Sequence, residues 1–151
     1  MSHRIDHAKA APDAFRAFVS VHSYLQDCSI PLVLIDLVYL RVSQINGCAY
    51  CIDKHSADLM KQGMSVSKLL LVPVWREAES LFDERERAAL AWAESLTNLP
   101  QTGAPDADYE AVAAVFNERE LADLSYAIAL MNGMNRLGVG FRKTPAAAQA
   151  A

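Results

Sequence analysis

Two thiols and an imidazole stand close together in the run Cys48-Ala-Tyr-Cys51-Ile-Asp-Lys-His55. At about 100° per residue, a helix through these positions places all three within roughly 60° of one another around its axis. Residues i, i+3 and i+7 share a face, so the two sulfurs and the ring form one stripe. Neighbouring turns bring the paired Cα atoms to about 5–6 Å, a distance a disulfide can bridge. A helix N-terminus and an adjacent imidazole both favour thiolate over thiol. The pattern reads as a redox dithiol with a base beside it. Two other readings stay open: a buried, inert cysteine pair, and a zinc site. For zinc, the two thiolates and His55 would supply three ligands and Asp36, His22 or Cys28 a fourth, although structural zinc sites usually draw on separate elements.

The elements that must hold this stripe are helical throughout. Pro12 to Gln26 is amphipathic, with Phe15, Phe18, Val19, His22 and Leu25 on one side. Cys28-Ser29-Ile30-Pro31 breaks the pattern, and Pro31 suits the first turn of the next helix. That helix is mostly apolar to about Ile45 and belongs in the core. Asn46-Gly47 makes the turn into the cysteine helix, for which Gly63 is a fitting stop. Ser65 starts a short helix that Pro73 limits. Asp83 with Glu86 is a capping box introducing a helix from Arg87 to Leu96. Pro105-Asp106 opens a helix through Phe116, and Asn117 with Glu120 caps the last one, Glu118 to about Leu137. No strand pair or βαβ unit is visible. Thioredoxin, the usual home of an intracellular CxxC, needs a central sheet and is therefore a poor match. The expectation is one all-α domain over 12–142, preceded by an N-terminal segment 1–11 and followed by a flexible, alanine-rich tail 143–151.

Composition narrows the partners. A formal charge of −4, with Lys and Arg scattered rather than striped, argues against nucleic-acid binding. No apolar run reaches the roughly 18–20 residues that span a bilayer, and Met1 to His7 lacks the apolar stretch of a secretory signal. A soluble, cytoplasmic protein is expected. Three cysteines do not make a secreted disulfide framework. An apolar content of 52% is high for a small monomer, so some surface is expected to be buried between subunits.

Other polar residues have plainer readings. Asp36 sits in the apolar helix, where an unpaired carboxylate is costly; an ion pair with Arg41 or Arg136 competes with a role at the site. His22 reads as a satisfied core histidine and Cys28 as a small hydrophobe. Tyr50 either gates the site or covers it. Asn132, Asn135 and Arg136 line the pocket or, by preference, a subunit interface. Trp75 and Trp92 read as packing residues, and Glu84 to Arg87 as a solvated helix start.

The stretch from Asp36 through Ser43-Gln-Ile-Asn-Gly-Cys-Ala-Tyr-Cys51 to His55 resembles the core motif of the AhpD-like alkylhydroperoxidases, within the carboxymuconolactone decarboxylase superfamily. Phe82 to Glu94 and Met131 to Arg142 are similar to that group as well, so the likeness covers roughly 12–142. The resemblance implies an all-α homo-oligomer, trimer or hexamer, and peroxidase or thiol–disulfide oxidoreductase activity without a bound cofactor. It implies a catalytic carboxylate twelve residues before the first cysteine, usually Glu and here Asp36, one methylene shorter. The expected site is then Cys48, Cys51, His55 and Asp36. Its partners would be a hydroperoxide and an external dithiol or thioredoxin-like reductant. Cys51 is expected to attack the peroxide, His55 to move the proton, Asp36 to orient His55, and Cys48 to resolve. The decarboxylase branch lacks the cysteine pair, which weighs against lactone chemistry. A redox-sensing oligomer without turnover is the other alternative.

Overall fold

Seven consecutive residues, Leu34 to Leu40, are buried, and this decides how the chain must be arranged. A helix apolar on every side needs partners on every side. The computed structural model describes residues 4–148, among which there are nine α-helices, two 3₁₀ segments and no strand. The first helices are α1 (His7–Ala10), α2 (Pro12–Gln26), α3 (Leu32–Asn46) and α4 (Ala49–Lys61). Next, α5 (Val66–Leu71) runs into a 3₁₀ segment at Val72–Leu81. Then come α6 (Glu84–Thr97), α7 (Leu99–Thr102), α8 (Asp106–Ala113) and α9 (Glu118–Gly140), with a last 3₁₀ turn at Ala146–Ala148. The all-α domain expected from the periodicity is what forms. The buried α3 is its axis, packed against α4, α6 and α9.

Local chemistry sets the boundaries. Gly47 closes α3 at φ 67°, a left-handed conformation that L side chains rarely adopt, and its N–H bonds back to Gln44 and Ser43 carbonyls. Both predicted capping boxes form, Asp83 with Glu86 and Asn117 with Glu120. Pro73 does not end the helical path but converts it to 3₁₀, with Val74 and Ala78 outside helical φ/ψ. The short α1 and α7 carry too few residues for a period to show in sequence.

Three expectations change once side chains are placed. The start of α6 is not merely solvated: Lys68 Nζ donates to both Glu86 oxygens at 2.6 and 2.7 Å, and Arg85 Nη2 donates to Glu120 Oε1 at 2.8 Å. Each capping glutamate therefore also ties two helices together. Asn132 and Asn135 do not line the cavity that opens onto Cys51. Asn46 Nδ2 donates to both of their Oδ1 atoms at 3.0 Å, and Asn135 Nδ2 reaches Ser43 Oγ at 3.0 Å. Asn132 Nδ2 bonds Thr97 Oγ1 at 3.2 Å, so the amides join α3, α6 and α9. Arg136 stays exposed and bonds the carbonyl of Asn132 on its own helix. Arg41 takes Glu94 rather than Asp36, at 2.7 Å.

Glu94 is a crossing point. It accepts from Arg41 on α3, from Trp75 Nε1 at 3.0 Å, and from Arg76. Trp75 is thus buried as expected but fastened by its indole N–H, as Trp92 is through Ser125 Oγ at 2.9 Å. The chain ends also pack. Arg4 N–H donates to Phe141 O at 3.2 Å, and the His7 and Phe141 rings stack 5.3 Å apart. Within the expected tail, the Ala147 N–H donates to Asp53 Oδ2 at 3.2 Å, while residues 149–151 lie outside the described part.

Burial alone would raise the Glu94 pKa, but the Arg76, Trp75 and Arg41 hydrogen bonds outweigh it and hold the carboxyl below its ordinary value. A lowered folded pKa gives stability that is present above the unfolded value and lost as pH falls through the folded one. Glu94→Gln is expected to cost about 2–3 kcal/mol at pH 7. The deficit should shrink below the ordinary pKa of 4.5, as the wild-type carboxylate protonates. Urea unfolding at pH 7 and in stepwise acid measures both.

Candidate active site

Cys48 is the N-cap of α4, and its N–H donates to Ser43 O at 3.0 Å. The asparagine cluster grips Asn46, two residues earlier, so the mouth of α4 is fixed to α9 before the first sulfur appears. Cys48 and Cys51 are disulfide-bonded, their Cα atoms 5.4 Å apart. Both are buried, Cys48 at 1% exposure and Cys51 at 6%.

His55 follows one turn after Cys51 and is 4% exposed. Its Nδ1 lies 3.1 Å from Asp36 Oδ1, across the packed α3–α4 pair. With Nδ1–H donating to the carboxylate, the neutral tautomer of the ring has its acceptor at Nε2. Gln62 Nε2 donates to the other oxygen, Asp36 Oδ2, at 2.6 Å. The carboxylate is therefore met on both oxygens, which is what lets it lie in an apolar helix. Asp36 has its partners in His55 and Gln62, and not in Arg41 or Arg136.

Tyr39 closes the other side, its ring centre 5.0 Å from that of His55. Its hydroxyl is buried with no hydrogen-bond partner among the described residues. Burial, followed by Asp36 and Cys28, pushes the phenol above its ordinary value, so it stays protonated. Cys28 is half-buried, its sulfur 3.9 Å from Ile30 O, and packs as a small hydrophobe.

A cavity of about 220 Å³ opens onto Cys51 and His55 between α2, α4 and α9. Phe15, Leu130 and Met134 are among its apolar walls, and Tyr50, Lys54 and Lys143 are among its polar lining. His22 also lines it, so it is half-buried beside the site rather than a core residue. Burial, Lys54 and His55 hold His22 below its ordinary value, which keeps it neutral at pH 7. Tyr50 is half-buried with the Lys143 ammonium 3.9 Å from its ring centre, making a wall of the cavity. Ligand atoms of Asp36, His55 and Asp58 lie within 4.8 Å of one another and could hold a metal ion. However, Asp58 already accepts from Lys54 at 2.7 Å, and Gln62 occupies Asp36. Among the described residues, no cysteine belongs to a group placed to hold a metal ion.

Gly138, Gln62, Tyr39 and Lys143 are the residues that sequence reasoning passed over. For Gly138 a signal existed, since glycine inside a helix costs roughly 1 kcal/mol relative to alanine and asks for a reason. A Cβ there would meet Cys48 Sγ at 3.0 Å and Cys51 Sγ at 3.7 Å, so the backbone of α9 lies directly on the disulfide. Gly140, by contrast, has nothing within 4 Å of its Cβ position. Gly140→Ala should be neutral or stabilising by up to about 1 kcal/mol. Gly138→Ala should be less stable than Gly140→Ala by about 1–3 kcal/mol in the oxidised protein. Thermal unfolding of the two variants makes the comparison.

The carboxymuconolactone decarboxylase family model matches residues 12–95, from α2 to near the end of α6. The chain is 32% identical over 139 residues to YdfG of Bacillus subtilis (strain 168), an uncharacterised protein, covering 92% of this chain and 94% of that one. It superposes with a TM-score of 0.91 and 39% identity on a crystal structure from Agrobacterium tumefaciens, covering 95% and 98% of the two chains. That protein is described as of unknown function, with the antioxidant defence protein AhpD as its suggested identity. The debrominase Bmp8 shares the fold at a TM-score of 0.82 and 22% identity, over 94% of this chain and 76% of its own. Matched family residues, the all-helical fold and near full-length likeness agree: the chain belongs to the carboxymuconolactone decarboxylase family and is an AhpD-like member of it.

Proposed function

We propose that the chain is a dithiol peroxidase that reduces organic hydroperoxides through Cys51, Cys48, His55 and Asp36. One observation carries this reading: the Asp36–His55 hydrogen bond ends in a cavity that Cys51 also lines. A structural bridge has no need of an oriented base at its side. In the reduced enzyme, the Cys51 thiol gives its proton to His55 Nε2, and the Cys51 thiolate attacks the outer peroxide oxygen. The S–O bond forms as the O–O bond breaks. The leaving alkoxide takes the proton from His55 and departs as an alcohol, leaving Cys51 as a sulfenic acid. The Cys48 thiol then displaces water from Cys51, forming the disulfide. An external dithiol restores both thiols and leaves as its own disulfide. The sum is hydroperoxide plus dithiol giving alcohol, water and disulfide.

The division of labour follows access. Cys51 lines the cavity, while Cys48 lies under Gly138, so Cys51 is the attacking sulfur and Cys48 the resolving one. Asp36 holds the ring in the tautomer with Nε2 free, an orienting role. Members of the family act as enzymes, and the suggested AhpD identity of the Agrobacterium tumefaciens relative supports a peroxidase-related role. No helix among the described residues is long and apolar enough to cross a membrane.

Hydroperoxide consumption with dithiothreitol as reductant tests the proposal. Cys51→Ser is expected to abolish turnover, and His55→Gln to lower kcat by about 10²-fold or more. Asp36→Asn should also lower kcat, with Asp36→Glu recovering part of the loss. Loss of the Asp36→Asn effect would remove the carboxylate from the mechanism. A silent assay in protein that still cycles cleanly between dithiol and disulfide would favour a redox sensor instead.

A further inference from the structure

The lining of the cavity is asymmetric in charge. The whole chain is acidic, at −4, yet among the described residues no carboxylate lines the cavity, whereas Lys54 and Lys143 do. Lys54 is already committed to Asp58 at 2.7 Å. Lys143 is different. Its ammonium rests 3.9 Å from the centre of the Tyr50 ring, and no ion pair among the described residues includes it. A cation held over an aromatic face is attracted by about 0.5–1 kcal/mol at an exposed site, a weak hold that an anion can supplement. The backbone behind it is fixed, because the Lys143 N–H donates to Gly138 O at 2.9 Å. Gly138 is the residue lying on the two sulfurs, and Lys143, Tyr50 and Cys51 line the same cavity.

The remaining walls are apolar, and they continue. His7 and Phe15 line both the cavity and an adjoining groove of about 600 Å³ between α1, α2 and α9. Ala14, Phe18, Leu137 and Phe141 are among the groove's apolar lining. Because His7 and Phe15 are shared, one elongated ligand can span the cavity and the groove. On the strength of the dithiol reading above, we propose that the substrate is an anionic, apolar hydroperoxide whose acid group is held by Lys143. The peroxide then lies at Cys51 and the hydrocarbon runs over Phe15 into the groove. Lys143 acts here as a specificity residue: it binds the acid group and takes no part in breaking the O–O bond.

The test compares one hydroperoxide in charged and neutral form: linoleic acid hydroperoxide against its methyl ester, both below micelle-forming concentration, with dithiothreitol as reductant. Wild type is expected to favour the acid about tenfold in kcat/KM, carried by KM, as one charge-assisted hydrogen bond allows. The acid-to-ester ratio should fall to about one in Lys143→Ala, drop below one in Lys143→Glu, and return in Lys143→Arg. Equal use of acid and ester by wild type overturns the proposal, as does an unchanged ratio in Lys143→Glu. If neither compound is consumed, the dithiol chemistry fails, and the anion site is judged separately. Calorimetry with the hydroxy acid and its methyl ester on Cys51→Ser then supports the site if the acid binds more tightly, and overturns it if the two bind alike.

Discussion

The hydrogen bond between Asp36 and His55 is the contact on which the arrangement of this molecule turns. It places a carboxylate inside the most buried helix, where a polar group without partners is costly. The cost is met on both oxygens, by the imidazole on one and by Gln62 on the other. Those partners come from α4 and the residue just after it, so α3 and α4 can pack in one register. In another register the carboxylate would be left unpaired in hydrocarbon, a penalty comparable to a large share of a domain's stability. The same bond sets the imidazole's tautomer, so packing and chemistry are settled by one pair of atoms.

Polar contacts around this pair do the work of alignment. The Asn46, Asn132 and Asn135 amides join the end of α3 to α9 immediately before Cys48. The absence of a side chain at Gly138 then lets α9 lie against the sulfurs. Further out, Glu94 joins α3 to α6 and to the 3₁₀ segment through Arg41, Trp75 and Arg76. Each is a charged or amide group satisfied across helices, and each restricts how α3 can slide. Hydrophobic burial gathers the helices around α3, but it is non-directional. The hydrogen bonds select one arrangement among many that bury similar area.

α2 contributes differently. Leu25 alone of its residues is fully buried, while Phe15, Phe18, Val19 and His22 are half-covered. The helix forms a wall of the cavity rather than part of the core. That is why the stripe read from its sequence is genuine while His22 on it is not a core residue: periodicity reports which residues face inward, and says nothing about whether the space they face is filled.

The sequence by itself determined the helices, their caps and the chemical stripe. These are local matters, decided by periodicity, by left-handed glycine at position 47, and by side chains that bond backbone three residues away. Cys51 and His55 share a face by helical geometry, with Cys48 as the extended N-cap just before them. Tertiary structure decided the partners. Arg41 was as near to Asp36 in sequence as any base, yet it serves Glu94, and Asp36 bonds a ring nineteen residues on and an amide twenty-six residues on. Gly138 and Lys143, about ninety residues beyond the cysteines, reach the disulfide and the cavity mouth only because α9 packs back across α3 and α4. Contacts of that span depend on how whole helices pack, and the spacing of residues along one strip of chain carries no record of it.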